Sequence, residues 1–84
     1  MAKLGTAVAR WERITNEKGI RGQQMEWRTE YALRDDGVLV KKQSARDEGN
    51  SWYDYGWKIA NRTPPELARV RAILAGRGYH EVRP

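Results

Sequence analysis

His80 is the single histidine in a chain of 84 residues, and there is no cysteine. Those two counts remove most nucleophile and metal chemistry. Without cysteine there is no thiolate nucleophile, no disulfide and no thiolate metal site. A histidine acting as acid or base needs a nucleophile or a carboxylate held beside it. Glu81 is adjacent in sequence, but neighbours on an extended segment point to opposite sides. Asp35-Asp36 and Asp47-Glu48 pair carboxylates, yet turn chemistry explains both. No set of His, Asp and Glu recurs at metal-ligand spacing. The residues therefore read as those of a non-enzyme, with no catalytic residue, no metal site and no cofactor.

The residues able to bind are more numerous. Sixteen basic side chains face eleven acidic ones, for a formal net charge of +5. Such an excess draws anionic partners by long-range attraction. Eleven of the sixteen are Arg, whose planar fork suits phosphate and carboxylate. There are four Trp and four Tyr but no Phe. Cations interleaved with rings on an open sheet can hold single-stranded nucleic acid, the cations following phosphates and the rings stacking on bases. The candidate set is Arg10, Arg28, Arg34, Lys41, Trp52 and Lys58, all expected on the sheet face that points away from the helix. A second basic group, with Arg77 and Arg83, lies towards the C-terminus. Glu12, Glu26, Glu30 and Asp54 share the first face and can neutralise its cations across strands. Gly19-Ile20-Arg21-Gly22 has the G-x-x-G form of a backbone clamp, but it precedes a strand and reads as a loop.

These side chains need a sheet to position them. Met25, Trp27, Thr29, Tyr31 and Leu33 alternate with Glu26, Arg28, Glu30, Ala32 and Arg34, the period of a half-buried strand. Asp36-Gly37 then marks a two-residue hairpin turn. That turn sets Leu33 opposite Val40 and Ala32 opposite Lys41. Ala45 to Asn50 is polar and reads as the next turn. In the strand Ser51 to Ala60, Tyr53, Tyr55, Trp57 and Ile59 share one face. With Trp11, Trp27 and Tyr31, the aromatic residues of that face read as core. Thr63-Pro64-Pro65-Glu66 has the form of a capping box with proline at the first helical position. Leu67, Val70 and Leu74 follow as one apolar stripe, and Gly76 or Gly78 stops the helix. Residues 6–15 fit a strand, with Ala7, Ala9 and Trp11 on one face. They also fit a helix, with Leu4, Val8 and Trp11 on one stripe.

The expected architecture is one α+β domain over residues 1–84. Its antiparallel meander of three to four strands is covered on one face by a C-terminal helix from about Pro64 to Ala75. Residues 76–84 read as a flexible basic tail, with a short extended stretch from Tyr79 to Val82. No apolar run is long enough to span a membrane. The lack of cysteine and of a signal-peptide pattern points to the cytoplasm. Element order does not establish function. Two readings remain. One is a protein-binding adaptor or inhibitor, of phage or mobile-element type, that meets an acidic protein through a sheet face or strand edge. The other is a nucleic-acid-binding accessory protein that uses the open face. Nothing in the residues specifies a homodimer.

Overall fold

Alternation along the chain becomes strands, and the strands pair in the order in which they occur. The computed structural model describes residues 6–48 and 50–83. Its elements are β1 (Ala7–Lys18), β2 (Gln24–Arg34), β3 (Leu39–Asp47), β4 (Tyr53–Asn61), α1 (Leu67–Gly76) and β5 (His80–Val82). They build one antiparallel sheet of order β4-β3-β2-β1-β5. The α+β class with a single helix is as expected, but the sheet has five strands instead of three to four. The added strand comes from the expected tail: Arg10, Trp11 and Glu12 pair with Val82, Glu81 and His80. Among the described residues no helix is long and apolar enough to cross a membrane.

Residues 7–18 are strand throughout, which resolves the choice between strand and helix. Ala9 and Trp11 enter the core, with Trp11 only 1% exposed. Ala7 does not join them. A register irregularity between Ala7 and Ala9 turns it to the other face, where it lies beside Arg10 and Arg34. β3 continues through Ala45, Arg46 and Asp47, residues expected in a turn, and Ala45 is buried. Its partner explains this, because Ala45 is held opposite Trp27 on β2 and Tyr53 on β4. The expected turn at Gly49-Asn50 falls partly outside the described residues.

The β2–β3 register differs by one residue from the expectation. Leu33 pairs with Leu39, Ala32 with Val40 and Tyr31 with Lys41. The turn has three residues, not two. Arg34 N–H donates to the Val38 carbonyl, and Gly37 N–H donates back to the Arg34 carbonyl. Gly37 has φ of 83°, and no described non-glycine residue has positive φ. A two-residue turn would have needed Asp36 at positive φ as well. Placing glycine third in the loop confines that conformation to the residue that adopts it without steric cost. Asp36 supports the turn by accepting a hydrogen bond from Val38 N–H.

The helix begins at Leu67, three residues later than expected, with Glu66 as its N-cap and no side-chain cap bond. Pro65 explains the delay, since a proline disfavours helical geometry in the residue before it. Pro64 therefore does not start the helix, and the Thr63 backbone N–H donates to the Asn61 side chain instead. The C-terminus closes in a Schellman motif. Tyr79 N–H reaches the Leu74 carbonyl and Gly78 N–H the Ala75 carbonyl, with Gly78 at φ 83°. The side chains of Leu74 and Tyr79 meet in the core, completing that motif. Around them are Ala9, Trp11, Leu33, Leu39 and Val70, with Tyr31 and Leu67 at the margin. At ten residues, α1 packs over this one end of the sheet.

Substituting Gly37 tests the turn. A Cβ there meets nothing within 4 Å, so the cost is purely conformational. Gly37→Ala is expected to lose about 1–2 kcal/mol of stability in urea unfolding. An unchanged midpoint would be inconsistent with a left-handed residue at this position.

Candidate functional site

Residues directly opposite on paired strands share a face, so the register sorts the candidate side chains. Arg10, Arg28, Arg34 and Trp52 lie on the face away from α1, as expected. Lys41 and Lys58 do not. Lys41 stands opposite Tyr31, whose ring joins the helix-side core, and Lys58 stands opposite Lys41. The three-residue turn moved Lys41. A second irregularity moved its partner strand: between the pairs Lys42–Trp57 and Ser44–Asp54, β4 has one extra residue, with Gly56 at φ 84°. This bulge also separates Tyr53 and Tyr55, on the helix side, from Trp57 and Ile59, on the open side. The expected common face of those four residues is thus split. Arg77 caps the end of α1, and Arg83 follows β5 in an exposed position. Neither joins the cations of the open face.

That open face is organised around Glu30, which is only 7% exposed. Arg10 lies 3.3 Å from one of its oxygens, and Arg28 and Lys42 lie 3.0 and 3.8 Å from the other. The Arg28 Nε contact is an ion pair without hydrogen-bond alignment. Lys42 is also 3.8 Å from Asp54. The buried Ser44 hydroxyl donates to Asp54 at 2.6 Å. That bond is the main cause holding the Asp54 carboxyl below its ordinary 3.8, with Lys42 and Arg28 acting in the same direction. Arg46 holds Glu26 through Nε at 2.9 Å and a terminal nitrogen at 2.8 Å. The guanidinium groups of Arg28 and Arg46 both lie 4.6 Å from the Trp52 ring, and Lys42 lies 5.1 Å from Trp57. Arg34 pairs with Asp36 beside the turn. Each of these cations contacts a carboxylate, with Arg10, Arg28 and Lys42 sharing that of Glu30.

The helix side differs beyond the reach of α1. Tyr53 is 66% exposed and Tyr55 52% exposed, so neither belongs to the core as expected. Tyr55 stacks on Trp27 with ring planes 14° apart, and Tyr53 meets Tyr55 edge-on at 5.0 Å. Beside this group a shallow dent is lined by Lys41, Gln43, Tyr55, Gly56 and Lys58. Among the described residues neither lysine has a carboxylate within ion-pair distance. The arrangement offers two cations and a stack of rings, which suits binding. Among the described residues no three His, Asp or Glu side chains converge on a metal-sized site. His80 stands opposite Glu12 across β1 and β5, at the far edge of the open face.

Sequence reasoning missed Lys42, Arg46 and Trp57 on the open face and the exposure of Tyr53 and Tyr55. The signal was present in Asp35-Asp36-Gly37, which also fits a three-residue loop with glycine last. Because residues 41 and 42 are both lysine, a one-residue slip exchanged one for the other without changing the charge pattern.

Removing the central carboxylate should be costly. Glu30→Gln leaves Arg10, Arg28 and Lys42 facing one another, and a loss of about 3 kcal/mol in urea unfolding is expected. Asp54 carries a pH dependence. Its carboxyl is depressed in the folded state, so its contribution is complete above 3.8 and is lost as pH falls through the lower folded value. Asp54→Asn should therefore melt below the parent at neutral pH, and the gap should close well below 3.8. A gap that persists in acid would assign the effect to the loss of shape, not charge.

Comparison of the chain with protein-family models, with curated proteins and with solved structures gave no significant match.

Proposed function

We propose that this protein is a non-enzymatic binding module that holds an anionic macromolecule on the helix-side sheet surface left uncovered by α1. The observation that carries this reading is the pairing of two lysines, Lys41 and Lys58, directly opposite one another beside exposed rings and with no carboxylate in ion-pair range among the described residues. Like charges in directly opposed sheet positions destabilise the fold. An anion seated over them relieves that repulsion. On the open face the same attraction is already satisfied internally by Glu30, Glu26 and Asp54, and a phosphate or carboxylate there would compete with existing ion pairs.

Binding by the strand edge is less favoured. Of the two edges, β5 is only three residues long and covers β1 at Arg10, Trp11 and Glu12 alone, while β4 carries register irregularities at Gly56 and between the pairs of Leu39 and Val40. Bulges of this kind twist an edge away from pairing with another chain. The surface of the sheet, not its rim, is then the contact. The net charge of +5 supports an anionic partner in the same interior compartment that the lack of cysteine suggests.

Retention on immobilised heparin, a generic polyanion, tests the reading. The parent protein should be retained and released by salt. Lys41→Glu with Lys58→Glu should elute at markedly lower salt. Arg69→Glu with Arg83→Glu changes the net charge equally and should elute close to the parent. Equal shifts in both double variants would reduce the effect to net charge, and no retention of the parent would end the proposal.

A further inference from the structure

Resting on that reading, we infer that the ligand is single-stranded nucleic acid, with one phosphate seated between Lys41 and Lys58 and an adjacent base stacked on Tyr55. Three features of the surface converge on this chemistry.

The first is the spacing of charge and ring. Tyr55 lines the same dent as the two lysines, so a cationic seat and an aromatic face are contiguous. A strand of nucleic acid presents that alternation of phosphate and base. An acidic peptide presents carboxylates but no flat partner for the ring. A duplex presents phosphates with its bases already stacked on one another, out of reach of an exposed ring.

The second is the posture of the aromatic group. Tyr55 is backed by Trp27 at 6.0 Å in near-parallel planes and braced edge-on by Tyr53. A half-exposed ring fixed by two neighbours loses little freedom when a base stacks on its exposed surface. The exposure is also costly in water, since apolar ring surface gains from being covered. Stacking on tyrosine is tolerant of base identity, because every base has a π-face.

The third is the floor of the dent. Gly56 sits in the bulge at φ 84°, and a Cβ built there meets nothing within 4 Å. Space is therefore open above the backbone at the point between Tyr55 and Lys58. Glycine in a strand interior marks a bulge, as here, and also leaves the main chain open to close approach by a ligand. Gln43 completes the lining with an amide that can donate to a phosphate oxygen.

Fluorescence titration tests this, with Trp27 reporting on its stacked neighbour. The probes are oligothymidylate, an abasic strand of equal length and charge, a duplex and oligoglutamate. Oligothymidylate is expected to bind tightest. Tyr55→Ala should weaken that binding about 5- to 150-fold, the range of one stacked base. It should leave the abasic strand unaffected. Lys41→Ala with Lys58→Ala should lower the slope of log affinity against log salt by about 0.7, the value for one phosphate of a single strand. Tyr55 is exposed, and unchanged circular dichroism in Tyr55→Ala would confirm an intact fold. Equal affinity for the abasic strand, or an unmoved Tyr55→Ala, would overturn the inference while heparin retention leaves the broader reading standing. Preference for oligoglutamate would transfer the site to an acidic protein. Binding to none of the four probes would overturn the inference, and loss of heparin retention as well would remove both.

Discussion

Side chains alternate along a strand, so one added residue in a turn carries everything beyond it to the opposite face. In this sheet the added residue is Gly37. It holds the left-handed conformation that a three-residue loop requires, and the β2–β3 register follows from it. Leu39 then meets Leu33 under the helix, and Val40 meets Ala32 on the other side. Lys41 turns towards the helix and Lys42 towards Glu30. The bulge at Gly56 repeats the operation on β4, taking Tyr53 and Tyr55 to one face and Trp57 and Ile59 to the other. The composition of both surfaces depends on these two glycines.

The two surfaces that result differ in how their cations are paired. On the open face, Arg10, Arg28 and Lys42 surround a nearly buried carboxylate. Burying one charge is tolerable only where others compensate it. Three cations supply that compensation, with Trp52 beside Arg28 and Trp57 beside Lys42. This face is a closed network. On the helix side, among the described residues, Lys41 and Lys58 have no such carboxylate, and Lys41 lies only over the Tyr31 ring, 5.6 Å from its centroid. The asymmetry arises because the helix is short. Ten residues pack over the end of the sheet built from Ala9, Trp11, Leu33 and Leu39, leaving Trp27, Tyr53 and Tyr55 beyond it.

Closure of that short helix is what brings in the fifth strand. The Schellman turn at Gly78 reverses the chain so that Tyr79 drops into the core and His80 emerges alongside β1. Arg71 then forks onto Glu81, tying the helix to the strand that follows it. The bonds from Arg71 are the main cause keeping the Glu81 carboxyl below its ordinary value. A packed ring, a pair of backbone hydrogen bonds and one ion pair thus secure three residues of strand that have too few ladder bonds to hold alone. The gain is that β1 is paired on both sides around Trp11, from Arg10 to Glu12.

Alternation from Met25 to Arg34 was enough to define β2 and both of its faces, since a period of two survives any change of register. The apolar stripe of Leu67, Val70 and Leu74 likewise defined the buried side of α1, and glycine at 78 was one of its two expected stops. From composition the absence of a thiol was also certain. Other features depended on partners. The sequence Asp35-Asp36-Gly37 permits two turn lengths, and only strand pairing chooses between them. β5 is too short for a period to show, and Tyr79 and Glu81 hold it through contacts with residues far away in the chain. Tyr53 and Tyr55 have the alternation of core residues; their exposure reflects a helix that ends before it reaches them. Local pattern records which side chains travel together. Which face they occupy, and what covers that face, is a property of the assembled sheet, because it is set by registers and lengths that no single segment contains.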